Sequence, residues 1–491
     1  MSKPLGNSVK TMGTLPVFMT AISTILGAIL FLKFGYAIGH VGLIGTLGII
    51  VIGHMVTIPT ALAVAEIATN QKVEGGGAYY IISRSFGMNI GGAIGIALYL
   101  AQGISVAFYI IAFGEAADML RVYIQEQSGY HFTYPIIDAY FKTGVNFASM
   151  TLLALAILTR GANIGMKALY FVVGVLIVAL GMFFLAQTNY TPTNNIFATI
   201  SDINPGTKSE SFFYVFAIIF PAFTGIAAGL GLSGDLKDPK KSIPKGTLWA
   251  TLTGILVYVA VAVKLYYSAG PEDLANEENI IMAKITWGPT IAIGLACAAI
   301  SSALGSVMIA PRTLQALGTD KVFPGDGLNS WLGKGRDKDN EPINASLITC
   351  VIAFLFLLMG DINAVAEIIS MFFMVTYGAI CMVSFFEHFA ADPSYRPTFR
   401  SRWYISLLGA VLCFWLMFKM NTAYAIGSIA LMVGIYIWIT TKKKDNSGLA
   451  NLFKGVIFQL SRSIQVFLQR RDTEAVEDKW RPFIITLSSH S

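Results

Sequence analysis

Apolar residues along this chain come in runs of about 20, the length an α-helix needs to cross the hydrocarbon of a bilayer. The runs begin near Leu15, Val41, Ile90, Val145, Lys167, Phe212, Gly246, Ile285, Ala345, Ala364, Trp403 and Thr422, with short polar stretches between them. They predict about twelve spans, each closing its own backbone hydrogen bonds, which a lipid-facing loop cannot do. The fold class that follows is an all-α membrane protein, a bundle of transmembrane helices. The chain divides into a short N-terminus (1–14), a transmembrane domain (15–441) and a polar tail (442–491).

Two runs are interrupted near their middles. The first reads Ser23-Thr24-Ile25-Leu26-Gly27-Ala28-Ile29, and the sixth reads Pro221-Ala222-Phe223-Thr224-Gly225-Ile226-Ala227. Each is followed by a span opening Gly-Thr-Leu, at Gly45 and at Gly246. Two five-span halves of opposite orientation place both breaks near the midplane. A broken helix offers amide N–H groups to anions at the start of its second half and carbonyls to cations at the end of its first. Gly27, Ala28 and Ile29 are then the donors of the first break, and Ser23, Thr24, Ile25 and Leu26 supply carbonyls. In the second, Gly225, Ile226 and Ala227 are the donors, with the Pro221 carbonyl and the Thr224 hydroxyl facing a cation. Neither segment carries a fixed charge. A lone ion there is uncompensated by several kcal/mol, and binding ions of opposite sign together removes most of that penalty.

The eighth span carries Ala298, Ser301 and Ser302 at i, i+3 and i+4, so one carbonyl and two hydroxyls share a helical face. Such hard oxygen donors suit a small alkali cation, although a serine in a membrane helix more often bonds back to its own preceding turn. Tyr109 and Tyr377 also fall within spans, where a tyrosine is more often packed than a ligand. Acids in or near spans are Glu66, Glu115, Asp118, Glu367 and Glu387. Glu115 is the best placed of these for a gate or a structural pair.

Composition narrows the class further. Of 491 residues, 55% are hydrophobic and 13% charged, about half the charge of an average soluble domain. The net charge of +6 does not indicate nucleic-acid binding, because the basic residues sit in clusters between apolar runs. Of the 34 Lys and Arg, 27 fall on the side of the termini, which predicts a cell-membrane protein with both termini in the cytoplasm. Cys297, Cys350, Cys381 and Cys413 lie singly in apolar runs and read as packing residues. Gly75-Gly76-Gly77 has neither the strand–loop–helix context nor the lysine of a phosphate loop, and no HExxH, histidine cluster or GxSxG elbow occurs. An enzyme is disfavoured, since no nucleophile–base set or metal-ligand group is present.

Specific segments resemble a known family. Ile67 to Asn70 followed by Glu74 to Ser85, Phe216 to Leu248 with Ser233-Gly234-Asp235, Ala310-Pro311-Arg312 with Gln315-Ala316-Leu317, and Tyr377-Gly378-Ala379 leading to Trp403 to Ala410 closely resemble the cation-chloride cotransporters of the amino acid–polyamine–cation superfamily. The resemblance covers nearly the whole membrane portion. It implies the LeuT-type fold, a 5+5 inverted repeat plus two additional helices. It also implies a potassium site at Thr24, Ile25, Tyr109, Pro221 and Thr224, and a sodium site at Ser23, Leu26, Ala298, Ser301 and Ser302. One chloride site falls at Gly27, Ala28 and Ile29, and the other at Gly225, Ile226, Ala227 and Tyr377. Ser301-Ser302 resembles the sodium-dependent branch and Tyr109 the potassium-binding members. Thr24 and Leu26 depart from the asparagine and the bulky aromatic common in the family.

The expectation is an electroneutral sodium-potassium-chloride symporter of a prokaryote-like minimal kind, needing no cofactor beyond the transported ions. Its partners are those inorganic ions and the lipid bilayer, with a homodimer left open and no nucleic acid. The alternative is a sodium-coupled amino-acid permease of the same fold. In the tail, Leu449, Leu452, Phe453, Val456 and Leu460 space one face of an amphipathic helix. Lys479 to Leu487 resembles the first strand of the family's regulatory domain, so the C-terminal domain is expected to be truncated.

Overall fold

The computed structural model describes residues 13–70, 77–129, 135–160, 165–192, 195–204, 206–225, 236–276, 280–336, 340–390 and 396–442, with scattered positions between 457 and 468. Ile226, Ala227, most of the predicted tail helix and the segment 479–487 lie outside the described residues.

Among the described residues the membrane portion is built of helices. The elements run α1 (Thr14–Ile25), α2 (Ala28–Asn70), α3 (Ala78–Phe86), α4 (Met88–Ser128), α5 (Pro135–Arg160), α6 (Gly165–Leu185) and α7 (Ile200–Ile203). After α8 (Phe212–Ile219) and a 3₁₀ turn (Phe220–Thr224) come α9 (Pro239–Tyr266), α10 (Pro271–Ala275), α11 (Ile281–Ile285) and α12 (Thr290–Thr319). The last are α13 (Asp326–Gly333), α14 (Ile343–Leu357), α15 (Ile362–Ala390), α16 (Trp403–Met420) and α17 (Thr422–Lys442).

Among the described residues, eight helical stretches are long and apolar enough to cross a membrane, accompanied by three shorter apolar helices. The first stretch crosses twice. Phe34 stacks on Tyr258 at 5.1 Å and His54 lies 6.0 Å from the same ring, yet residues that far apart on a straight helix stand about 30 Å from one another. The chain therefore doubles back within α2, at Gly42 (φ 71°, ψ 174°). With that reversal counted, the described residues hold nine span-length segments and three shorter apolar helices, matching in number the twelve predicted runs.

Some boundaries differ from the hydropathy reading, for local reasons. α12 starts at Thr290 rather than Ile285 because Gly288 takes a positive φ of 62° and Pro289 caps the helix. α9 starts a full two turns before Gly246, its first turns being polar and standing outside the apolar run. The segment after the second span, read from sequence as a loop, contains the amphipathic helix α3. Ile81, Ile82 and Phe86 are buried, and α3 packs tightly on α4, where a Cβ on Gly91 would meet Ser83 at 2.3 Å and one on Gly95 would meet Tyr79 at 2.3 Å. Gly91 and Gly95 thus allow α4 to approach α3 closely.

The acids within the spans are paired. Glu115 meets Lys142 of α5 at 3.2 Å, Asp118 meets Arg121 at 2.7 Å, and Glu367 accepts from the Asn421 amide at 2.8 Å. Glu66, fully buried, accepts from Ser384 at 3.2 Å, from the Ser401 hydroxyl and from the Ser401 N–H at 3.3 Å, with His388 Nδ1 3.3 Å away. These bonds tie the end of α2 to α15 and to the strap 396–402. The four cysteines are free.

Gly42 combines the positive φ with backbone atoms of Phe197 at 3.1 Å from where a Cβ would stand. Gly42→Ala is expected to destabilise the protein by about 1–3 kcal/mol, read as a lowered thermal midpoint in detergent. Gly174→Ala, where nothing lies within 4 Å, leaves the midpoint unchanged.

Candidate functional site: the paired helix breaks

α1 stops because its hydrogen-bond ladder ends with the Leu26 N–H on the Ile22 carbonyl (2.8 Å), and α2 restarts at Ala28 with the Leu30 N–H on the Gly27 carbonyl (3.2 Å). A helix start leaves its first N–H groups without intrahelical acceptors, and a helix end leaves its last carbonyls without donors. Gly27, Ala28 and Ile29 thus stand at a helix start, and Ser23, Thr24 and Ile25 at a helix end. A Cβ on Gly27 would sit 2.6 Å from the Thr24 carbonyl oxygen. Only glycine lets the chain turn this tightly. The Ser23 and Thr24 hydroxyls bond back to the Thr20 carbonyl at 3.0 and 3.1 Å, so these residues face the break with their backbone.

The second break forms where Pro221, lacking an N–H, ends α8 and the chain tightens into the 3₁₀ turn. The Thr224 hydroxyl donates to the Pro221 carbonyl at 2.7 Å, and Tyr377 of α15 donates to the Thr224 carbonyl at 2.7 Å. In this structure the Tyr377 proton is thereby engaged by backbone. The two breaks touch, since a Cβ on Gly225 would lie 2.6 Å from Ile25 Cγ1 and 3.0 Å from the Ala21 carbonyl.

Tyr258 of α9, which the sequence reading did not single out, joins the breaks. Its buried hydroxyl meets the Ile25 carbonyl of the first and the Ala222 carbonyl of the second, the latter at 2.7 Å. One hydroxyl carries one proton, so the two carbonyls share a single donor. Gly254, one turn before Tyr258, leaves room for Ile25, whose Cγ2 stands 2.5 Å from where a Cβ would be.

A small cavity adjoins the breaks, with about 20 Å³ open to the centre of a water-sized body. Thr24, Tyr109, Thr224 and Ser302 line it, drawing three of the five residues expected at the potassium site together with one from the sodium site. Ser302 Oγ is buried without a hydrogen-bond partner, and the Tyr109 hydroxyl faces it more loosely. A Cβ on Gly27 would come 3.7 Å from this oxygen, so the unpaired hydroxyl stands beside the first break. Ala298 is fully buried on the same helix, and Ser301 is half-buried and not among the lining residues.

The cavity also includes Gln102, Ser105, Ser306 and Phe373, which sequence reasoning missed. A signal for two of them exists. Ser105 lies one turn before Tyr109 and Ser306 one turn after Ser302, continuing the same polar faces. Among the described residues, no ionisable carboxylate or ammonium lines the cavity.

Tyr258→Phe removes the donor shared by two buried carbonyls. The expected outcome is a loss of about 1–3 kcal/mol, seen as a lower thermal midpoint, with a fall in transport larger than that of Tyr267→Phe, whose side chain is 55% exposed.

Comparison with known proteins places this geometry. A crystal structure of a manganese transporter from Eremococcus coleocola, in complex with an aromatic bis-isothiourea substituted compound, matches with a TM-score of 0.53 at 12% identity, covering 94% of this chain and 98% of that one. The fold is accordingly the LeuT-type inverted repeat with two added helices. Solute carrier family 12 member 2 of Homo sapiens is 34% identical over 478 residues, spanning 87% of this chain and 38% of the relative. Solute carrier family 12 member 1 of Mus musculus is 32% identical over 484 residues, spanning 87% and 43%. These relatives bear out the resemblance read from residues 67–85 and 216–248, and the chain spans less than half of their length. The amino acid permease pattern matches residues 16–477, and the chain, a multi-pass membrane protein, belongs to the amino acid permease family.

Proposed function

We propose that the chain is a secondary active symporter coupling chloride to sodium and potassium by alternating access, carrying one sodium, one potassium and two chlorides per cycle. The observation that carries this reading is the chemistry of the cavity beside the breaks. Hydroxyls line it and no ionised side chain does. Transferring one ion into such a site leaves its charge uncompensated, whereas a balanced set of cations and anions is neutral as a whole. The loaded transporter can then occlude and reopen on the other side, and a partly loaded one is held back by unpaired charge.

In this reading potassium is held by the carbonyls of Thr24, Ile25 and Pro221 with the oxygens of Tyr109 and Thr224. Sodium takes the carbonyls of Ser23, Leu26 and Ala298 and the hydroxyls of Ser301 and Ser302. The amides of Gly27, Ala28 and Ile29 hold one chloride. Gly225, Ile226 and Ala227 hold the other, which Tyr377 reaches when it releases the Thr224 carbonyl. Both termini lie in the cytoplasm, as the distribution of Lys and Arg requires.

The family match keeps an amino-acid permease as the second reading. The size of the cavity favours monatomic ions, since about 20 Å³ holds roughly one water-sized body. Competition of uptake by a panel of amino acids decides between the two.

In proteoliposomes, rubidium uptake is expected to fall to background when external chloride is replaced by gluconate. Unchanged uptake sinks the coupling. Ser302→Ala removes one neutral ligand oxygen, worth about 1–2 kcal/mol, and raises half-saturation for sodium roughly tenfold while leaving that for rubidium near wild type. Tyr109→Phe produces the reverse pattern.

A further inference from the structure

A second site of different chemistry lies far from the breaks, at the start of α9. A groove of about 440 Å³ opens there between the first turns of α9, the end of α2 and the strap 396–402. Its wall is built rather than loose. The Phe399 N–H donates to the Thr69 hydroxyl at 3.2 Å and the Arg396 N–H to Asn70 at 2.7 Å, and the Ser401 N–H reaches the buried Glu66 at 3.3 Å. Three lysines, Lys240, Lys241 and Lys245, line the groove beside Leu248, Trp249 and Leu252. Among the described residues, only Lys241 of the three has an acid within ion-pair distance. That acid is Asp238 at 3.8 Å, with side chains 79% and 50% exposed, a pairing that solvent screens.

The order of these residues along α9 matters. Lys241, Lys245, Leu248, Leu252, Leu256 and Val259 fall within about 80° of one another on the helix at ~100° per residue, with Trp249 at the stripe's edge. Trp249, Leu252, Leu256 and Val259 are all exposed, at 62%, 48%, 65% and 37%. One face of a single helix therefore presents ammonium groups at its end and then an apolar track. From Leu248 to Val259 the track runs about 16 Å at ~1.5 Å per residue, close to the ~15 Å of one leaflet's hydrocarbon. Trp249 stands at the junction, where indole rings settle in bilayers.

We propose that this groove seats one anionic phospholipid, its phosphate held by Lys240, Lys241 and Lys245 and an acyl chain laid along the exposed face of α9. The apolar track distinguishes a lipid from a soluble anion, which has no use for it. The lysines distinguish an anionic headgroup from a zwitterionic one, since a choline would place a positive charge among three others. Basic pockets between membrane helices on the positively charged side hold lipid headgroups by the same electrostatics.

The full chain, purified in mild detergent and incubated with equal amounts of palmitoyl-oleoyl phosphatidylglycerol and phosphatidylcholine, is examined by native mass spectrometry. The expected result is one phosphatidylglycerol retained in preference. Lys240→Gln/Lys241→Gln/Lys245→Gln reduces that retention at least tenfold, the triple arginine variant restores it, and Leu252→Ser weakens it without altering charge. Unchanged thermal midpoints show that the variants are folded. Equal retention by the triple glutamine variant, equal retention of phosphatidylcholine, displacement by millimolar inorganic phosphate, or a lipid-free dimer as the species that excludes phosphatidylglycerol each overturns the proposal.

Discussion

The structure depends on one constraint, that backbone leaving the helical conformation inside a bilayer must find its hydrogen bonds within the protein. Two interruptions, at Leu26–Gly27 and at Phe220–Gly225, break this rule locally, and the surrounding contacts answer them. Tyr258 spans both breaks, Tyr377 holds the Thr224 carbonyl, and the Thr224 hydroxyl covers Pro221. Gly27, Gly225 and Gly254 allow these segments to approach within distances that any side chain would prevent. What remains is a short set of helix-end amides and carbonyls beside a small cavity, the chemistry on which the proposed paired binding of opposite charges rests.

The placement of fixed charge follows the same logic. Glu115, Asp118, Glu66 and Glu367 are each engaged by a neighbour outside the cavity, and none of them lines it. In the proposed reading, ion binding then rests on neutral dipoles, whose attraction for a cation and for an anion is set by position alone. A bilayer strengthens this effect, because the low dielectric that penalises a lone ion also sharpens the attraction between paired ones.

Ionic groups are concentrated instead at the ends of the spans. The strap 396–402, pinned to the end of α2 through Glu66, Thr69 and Asn70, makes a rigid ledge beside the lysines of α9. The buried acid Glu66 thus serves as an anchor for the ledge. One of its carboxylate oxygens accepts from Ser384 and Ser401, residues far from it in sequence, and the other lies 3.3 Å from His388 Nδ1.

Span number and the two glycine-marked breaks with Thr24 and Thr224 were legible along the chain, because helix length, hydropathy and proline or glycine interruption are local properties, whereas Tyr109 and Ser302 were assigned to the site only by the family resemblance. The reversal between the first two spans, placed near Val41 by the hydropathy reading, turns on the positive φ of Gly42, and α3 was hidden because its amphipathic turn is too short to register as a span. Tyr258 and Gln102 carried no local signal at all. A tyrosine hydroxyl two turns inside an apolar helix reads as packing until the carbonyls it meets, from residues 25 and 222, are brought to it. Periodicity and composition determined which elements exist and where they break, whereas the partner of each orphaned carbonyl was decided only by the tertiary structure, since hydrogen bonding across helices depends on distances that no single helix encodes.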